Sequence, residues 1–238
     1  MTGRRAEEAR IRAVYTQRPH DPRYEWSRPA YAFMMQGIER RLLAFLSQVS
    51  PPSLQGRRIL EIGCGTGHWL REFVKWGAHQ RDVAGMDLLA DRVRVARTLC
   101  PSGVHLFCGS AAALPLPSQS FDVVAQFTVF TSILEPDLKR RLASEMLRVV
   151  KPDGFILWYD FRFDNPRNGN VRGIGRREIQ ELFTGGSVTL RSATLAPPLT
   201  RRLAARSWLM CSVLEAIPLL RTHYLGVIRP GGGGAPPR

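Results

Sequence analysis

The chain has 238 residues, 44% of them hydrophobic, a length and texture that suit one globular domain with an appended cap and exclude collagen, coiled coil and wholesale disorder. Lys plus Arg number 34 against 20 Asp plus Glu, a net charge of +14 that raises the question of polyanionic partners. Only Lys75, Lys139 and Lys151 are lysines and the arginines are scattered along the chain rather than clustered, which argues against a dedicated nucleic-acid surface.

In chain order, residues 6–14 read as a short helix, followed by the loop QRPHDPRYEWSRP. Over 30–46 the apolar positions Tyr31, Met35, Ile38, Leu42 and Phe45 step by four and three, the mark of an amphipathic helix started by Ser27 and Pro29. Residues 1–50 are thus expected to form an N-terminal helical cap. The opening segment has no apolar core of the kind a signal peptide needs, and Glu7 and Glu8 interrupt its basic residues.

After Pro51-Pro52 short apolar runs alternate with helical patterns. Strands are predicted at 58–62, 83–87, 104–107, 122–126 and 155–160, with helices near 68–77, 90–100, 136–150 and 176–184. Strands at 187–195 and 223–228 follow, separated by a helix over 200–217. The expectation is an α/β, Rossmann-like, doubly wound seven-stranded sheet: five parallel strands closed by a terminal antiparallel pair, spanning 51–230. The inserted segment 199–221 reads as lid-like, apolar over more than one face. Arg201, Arg202 and Arg206 are placed in the first turns of its helix, where the dipole disfavours cations and an anionic membrane surface would compensate. The glycine- and proline-rich 231–238 is expected to be a disordered tail. No apolar run reaches the length of a membrane span. Cys64, Cys100, Cys108 and Cys211 have neither zinc-ligand nor disulfide spacing, so no metal or disulfide is expected and reduced thiols in a cytoplasmic protein are the reading.

The chemistry concentrates at RRILEIGCGTGHWL. Gly63, Gly65 and Gly67 follow a strand and precede a helix, so the backbone can turn tightly beneath a ligand. The spacing is GxGxG, with His68 where a dinucleotide fingerprint has its third glycine. Glu61 would repel a pyrophosphate and welcome an amine. Asp87, ending the second strand some 20 residues on, can grip both ribose hydroxyls. The implied ligand is a nucleoside with an ammonium tail. Read structurally, the glycines would serve only the turn and Asp87 would cap the next helix. Cys64 reads as a small filler of the loop and Asp122 as a structural carboxylate.

LEIGCGTG at 60–67, GMDLL at 85–89, LPLPSQSFDVV at 114–124 and LRVVKPDGFILWYD at 147–160 together resemble the class I S-adenosylmethionine-dependent methyltransferases, in their type 11, ubiquinone- and menaquinone-type branch. The resemblance implies S-adenosylmethionine as cofactor. Glu61 and the backbone of Gly63, Cys64, Gly65 and Gly67 would face its methionine end, Asp87 its ribose, and Leu88, Ser110 and Ala111 its adenine, with Gln126 completing the donor set. Ser110 stands where the family often has an acidic residue, so the adenine contact lacks charge.

For the acceptor, the QFTVFTSI run lacks the (D/N)PP(Y/F) pattern that holds a base amine, and Phe127, Val129, Phe130, Thr128 and Thr131 suggest an apolar, lightly polar wall. Asp160, Arg162 and Asn165 lie in the loop after the fifth strand, where a doubly wound sheet presents its ligand crevice; an Asx-stitched turn is their structural reading. Tyr15, His20, Tyr24 and Trp26 come from the cap loop. Asp160, His20 and Tyr24 are the candidates for general base or acceptor contact. The expected reaction is methyl transfer to a small molecule, with an RNA-directed enzyme or a basic nucleic-acid-binding module as the competing reading.

Overall fold

The computed structural model describes residues 3–17, 21–49 and 53–231. The cap consists of α1 (Gly3–Thr16), a 3₁₀ turn at Pro22–Tyr24 and α2 (Pro29–Val49). The alternating region then runs β1 (Ile59–Ile62), α3 (His68–Lys75), β2 (Val83–Asp87), α4 (Ala90–Leu99), β3 (His105–Cys108), β4 (Phe121–Phe127), α5 (Pro136–Val149), β5 (Val150–Phe161) and α6 (Arg176–Leu182). It closes with β6 (Ser187–Leu195), α7 (Pro197–Leu203), α8 (Trp208–Ala216) and β7 (Arg221–Arg229).

The seven strands lie in the order β3-β2-β1-β4-β5-β7-β6. The first five are parallel, while β7 runs antiparallel to both β5 and β6. The winding reverses between β1 and β4, where Ile59 pairs with both Val83 and Val123. A crevice therefore opens beyond the carboxyl ends of these strands.

Alternation along β1 sorts the core into two layers. Leu60 and Ile62 pack with Val124, Ile156, Trp158 and the α5 residues Leu142 and Met146. Ile59 packs on the other face with Val83, Val123, Leu70 and Phe73, and with Ile38, Leu42 and Phe45 of α2. The predicted stripe of α2 is thus divided: its later positions enter the core, while Tyr31 and Met35 face the crevice. Asp122 is structural, accepting from Arg58 N at 2.9 Å and pairing with Lys151 at 2.9 Å.

The helix expected over 200–217 is two helices. Ser207 takes an extended conformation and its hydroxyl accepts from Met210 N at 3.1 Å, an N-cap that starts α8 afresh. Arg201 and Arg202 consequently sit in the last turn of α7, where the dipole favours cations, and Arg206 lies in the connection; the unfavourable placement expected from the sequence does not occur. Nor is α8 a lid. Trp208 meets Phe33 of α2 edge to face at 5.6 Å, and Cys211 packs with Phe33, Leu195 and Ala204, while no residue of α8 lines a described cavity. Among the described residues no helix is long and apolar enough to cross a membrane. Beyond Gly231, the tail expected to be disordered lies outside the described residues.

Candidate active site

The glycine loop leaves β1 with Gly63 at φ +70°, Gly65 at +54° and Gly67 at +77°, conformations L side chains rarely adopt. Space matters as well: a Cβ on Gly63 would lie 2.4 Å from Val129 Cγ2, and one on Gly67 2.4 Å from Cys100 Sγ. Gly63 N and Cys64 N both donate to Met86 O, at 2.7 and 3.1 Å. Gly65 N donates to Asp87 Oδ2 at 2.8 Å, and Leu89 N to Asp87 Oδ1 at 2.9 Å. Asp87 is therefore held by the loop itself rather than by capping α4, and both its oxygens keep lone pairs for further donors.

Glu61 is 2% exposed and its Oε2 has no hydrogen-bond partner. Burial, with Asp87 adding to it, pushes this carboxyl well above the ordinary range. A buried carboxylate with one oxygen unpartnered, beside a tight glycine loop, is the complement of an alkylammonium, so the residues present fit the methionine end of S-adenosylmethionine.

Two cavities meet at this loop. The smaller, about 290 Å³, is lined by Asp87, Leu88, Ser110 and Ala111 together with Glu8 and Ile11 of α1. The larger, about 730 Å³, is lined by Glu61, Cys64 and Gly65 at one end and by Tyr24, Tyr31, Met35, Trp69 and Tyr159 beyond. Tyr15, Gly63, Arg92, Phe127, Thr128 and Ser132 border both.

Glu8 was not visible from sequence as a site residue. Its Oε1 accepts from Ser110 Oγ at 2.6 Å and from Arg4 Nε at 2.9 Å. Burial opposes its charge, but the hydrogen bonds from Ser110 and Arg4 outweigh it and the pKa is lowered. The carboxylate absent at position 110 thus arrives from α1, 102 residues away in sequence. Its only sequence signal was an acidic residue inside a basic amphipathic helix.

Of the other donor candidates, Cys64 borders the larger cavity, and burial pushes its thiol up, which disfavours the reactive thiolate. Gln126 does not reach either cavity. It is fully buried, its Oε1 accepting from Val129 N at 3.0 Å and its Nε2 donating to Tyr159 O at 3.4 Å, so it ties β4 to β5.

Among the acceptor candidates, Tyr24 and Asn165 line the larger cavity. Asp160 does not. Its carboxylate accepts from Phe130 N at 2.9 Å, Thr131 N at 3.3 Å, Thr131 Oγ1 at 2.6 Å and Phe161 N at 2.9 Å, and burial pushes it up to about 6. It fixes the turn after β4 instead of facing a ligand. Arg162 lies over the rings of Phe163 and Tyr224, at 4.4 and 5.3 Å. Phe130 is buried in the core with Trp158 rather than forming the wall, and His20 lies outside the described residues. Asn165 also makes the Asx turn of its structural reading, accepting from Arg167 N at 3.1 Å.

Two histidines that the sequence did not mark border the larger cavity. His68, between Trp26 and Trp69, has its pKa lowered by burial. His223 stacks on Tyr159 at 4.7 Å and 11°, and burial pushes it down to about 3, so it is a neutral imidazole. Thr128 and Thr194, at φ +58° and +62°, are β-branched residues in the left-handed region, and both border this cavity. Thr128 N donates to Tyr159 O at 2.8 Å and Thr194 Oγ1 lies 2.8 Å from Tyr159 Oη, so the strain is held by hydrogen bonds around one tyrosine.

A methyltransferase-domain family model matches residues 59–154. The chain is 34% identical over 135 residues to phthiotriol/phenolphthiotriol dimycocerosates methyltransferase 1 of Mycobacterium ulcerans (strain Agy99), covering 53% of this chain and 48% of that protein. It is 25% identical over 209 residues to the tRNA N(3)-cytidine methyltransferase of Mus musculus, covering 74% of this chain and 54% of that protein. The chain thus spans about half the length of these curated relatives. Among solved structures, the PH0226 protein of Pyrococcus horikoshii OT3 superposes with a TM-score of 0.60 at 16% identity, over 84% of this chain and 91% of that one, a likeness of fold. The glycine loop with its buried Glu61, Asp87 at the end of β2 and the seven-stranded order accord with the matched domain: residues 59–154 are similar to a methyltransferase domain, and the likeness supports S-adenosylmethionine-dependent methyl transfer.

Proposed function

We propose that the protein transfers a methyl group from S-adenosylmethionine to a small molecule with an apolar, ring-bearing or extended body. The observation that carries this reading is the wall of the larger cavity, where Met34, Met35 and Ile38 of α2 face Trp69, Phe127 and Tyr159 around the methionine end of the donor site. When bound, the cofactor supplies a methyl already activated on a sulfonium, so the protein's task is to position and to exclude water. Glu61 takes the donor ammonium, Arg92 the carboxylate, Asp87 the ribose hydroxyls and Glu8, seated on Ser110, the adenine amino group. Trp69 and Phe127, stacked at 4.6 Å, give the acceptor a flat apolar face, and neutral His223 and Tyr24 offer it hydrogen bonds.

The tRNA-directed relative and the +14 charge favour a second reading, an RNA acceptor. The end of β4 has no (D/N)PP(Y/F) run and Gln126 there is committed to backbone atoms, which argues against an exocyclic base amine as the acceptor but not against a ring nitrogen. Incubating the protein with methyl-labelled donor and a total cell extract, then separating RNA from organic-soluble metabolites, distinguishes the two. Label in the organic fraction is expected; label retained in RNA and lost on nuclease treatment overturns the small-molecule reading.

A further inference from the structure

One surface helix is built inside out. The single charged side chain of α8 is Glu215, and it points inward, pairing with Arg41 of α2 at 2.8 Å and accepting from Leu195 N at 3.1 Å. The outward positions are apolar: Leu209, Met210 and Val213 are 76%, 51% and 60% exposed, and Leu219 beyond them is 83% exposed. Leu209 and Val213 are four residues apart and Met210 and Val213 three, so they form one stripe, flanked by Ser212 and Ala216 and by the exposed Trp208 and Ile217. A helix facing water carries the reverse pattern, and while a single exposed leucine is ordinary, a contiguous patch marks a contact.

The patch has a cationic border. Arg201 and Arg202 end α7, Arg206 precedes α8, and all three are exposed. We propose that α8 and these arginines form a docking surface for an anionic lipid membrane, the apolar side chains entering at the headgroup boundary and the guanidinium groups meeting lipid phosphates. Charge selects this occupant. A two-fold contact between copies would set the same arginine border against itself, in a molecule carrying +14 overall, whereas an anionic bilayer is attracted by both. The inference does not rest on the acceptor's identity. Pro197 and Arg201 also border the larger cavity, so the docked face lies beside the acceptor compartment.

Co-sedimentation of the full chain with phosphatidylcholine vesicles, with and without phosphatidylglycerol, at physiological ionic strength tests this. Pelleting with the mixed vesicles and not with phosphatidylcholine alone is expected. Leu209→Ser with Val213→Ser should raise the lipid needed for half-binding at least roughly tenfold. Arg202→Gln with Arg206→Gln should raise it roughly twentyfold. The substituted side chains are exposed, so both variants should keep the parent's melting temperature. No pelleting, pelleting unchanged in the serine variant, or a dimer in sedimentation velocity that the serine variant dissolves would each overturn the proposal, the last by making a second copy the occupant.

Discussion

A carboxyl group buried with one oxygen unpartnered is costly to ionise, and Glu61 makes that cost a property of the candidate donor site. Its pKa is raised in the free protein and falls when an ammonium arrives, so binding favours the ionised form. Below the raised pKa the donor must displace a proton; its affinity should fall by up to about tenfold per pH unit there and level off above it. Calorimetry across pH, in buffers of different ionisation enthalpy, reads both the slope and the proton released. Glu61→Gln should flatten that profile. Because a raised carboxyl pKa means stability present at low pH and lost as pH rises through it, the same variant should melt higher than the parent at neutral pH while binding the donor more weakly. At Asp87, replacement by alanine removes charged acceptors of the ribose hydroxyls and should weaken the donor roughly ten- to a hundredfold. Glu8 calls for a subtler probe, the comparison of S-adenosylhomocysteine with its inosine counterpart, which lacks the amino group. The parent should prefer the adenine form, and Glu8→Gln should shrink that preference roughly tenfold. An unchanged preference would remove Glu8 from the adenine contact.

At the scale of elements, Glu215 joins three pieces of chain: α8 carries it, α2 neutralises it through Arg41, and β6 donates Leu195 N to it. Removing Glu215 leaves the half-buried Arg41 uncompensated and Leu195 N without its acceptor. Glu215→Ala should therefore destabilise the fold by about 3 kcal/mol, seen as a lower midpoint in urea. The same region shows where reading elements from sequence fails. Ala204 and Ala205 are good helix formers, and nothing in composition separates α7 from α8; the break comes from Ser207, whose hydroxyl chose to cap rather than to continue. Strands fared better where burial on both faces leaves a continuous apolar run, and β2 falls at the predicted residues.

Considered whole, acidic residues pair with cations locally, as Glu7 with Arg10, Asp122 with Arg57 and Glu145 with Arg148, and the surplus of +14 is scattered along the chain rather than gathered in runs. Retention of mixed tRNA should accordingly be weak, unselective and lost steeply as salt rises from about 50 to 200 mM, measurable by filter binding. Much of the candidate donor site was legible, in that Glu61, Gly63, Asp87, Leu88, Ser110 and Ala111 come together around two adjoining cavities, because these residues sit at or just beyond strand ends in fixed register with a glycine loop. What was not legible depends on distant segments meeting: Glu8 from the first helix, His223 from the last strand, and the diversion of Asp160 and Gln126 into hydrogen bonds with backbone that the linear sequence does not place beside them.

The two adjoining cavities also bear on the timing of turnover. Glu61 and Gly65 border the larger one together with Trp69 and Phe127, so on the proposed reading the donor's methionine end and the acceptor share that cavity, and a seated acceptor would cover the donor. The order expected on that reading is donor on first, acceptor second, methylated product off third, demethylated donor off last. In steady-state work S-adenosylhomocysteine should then compete with the donor but act as a noncompetitive inhibitor toward the acceptor, and the enzyme should idle in its product-bound form whenever that thioether accumulates.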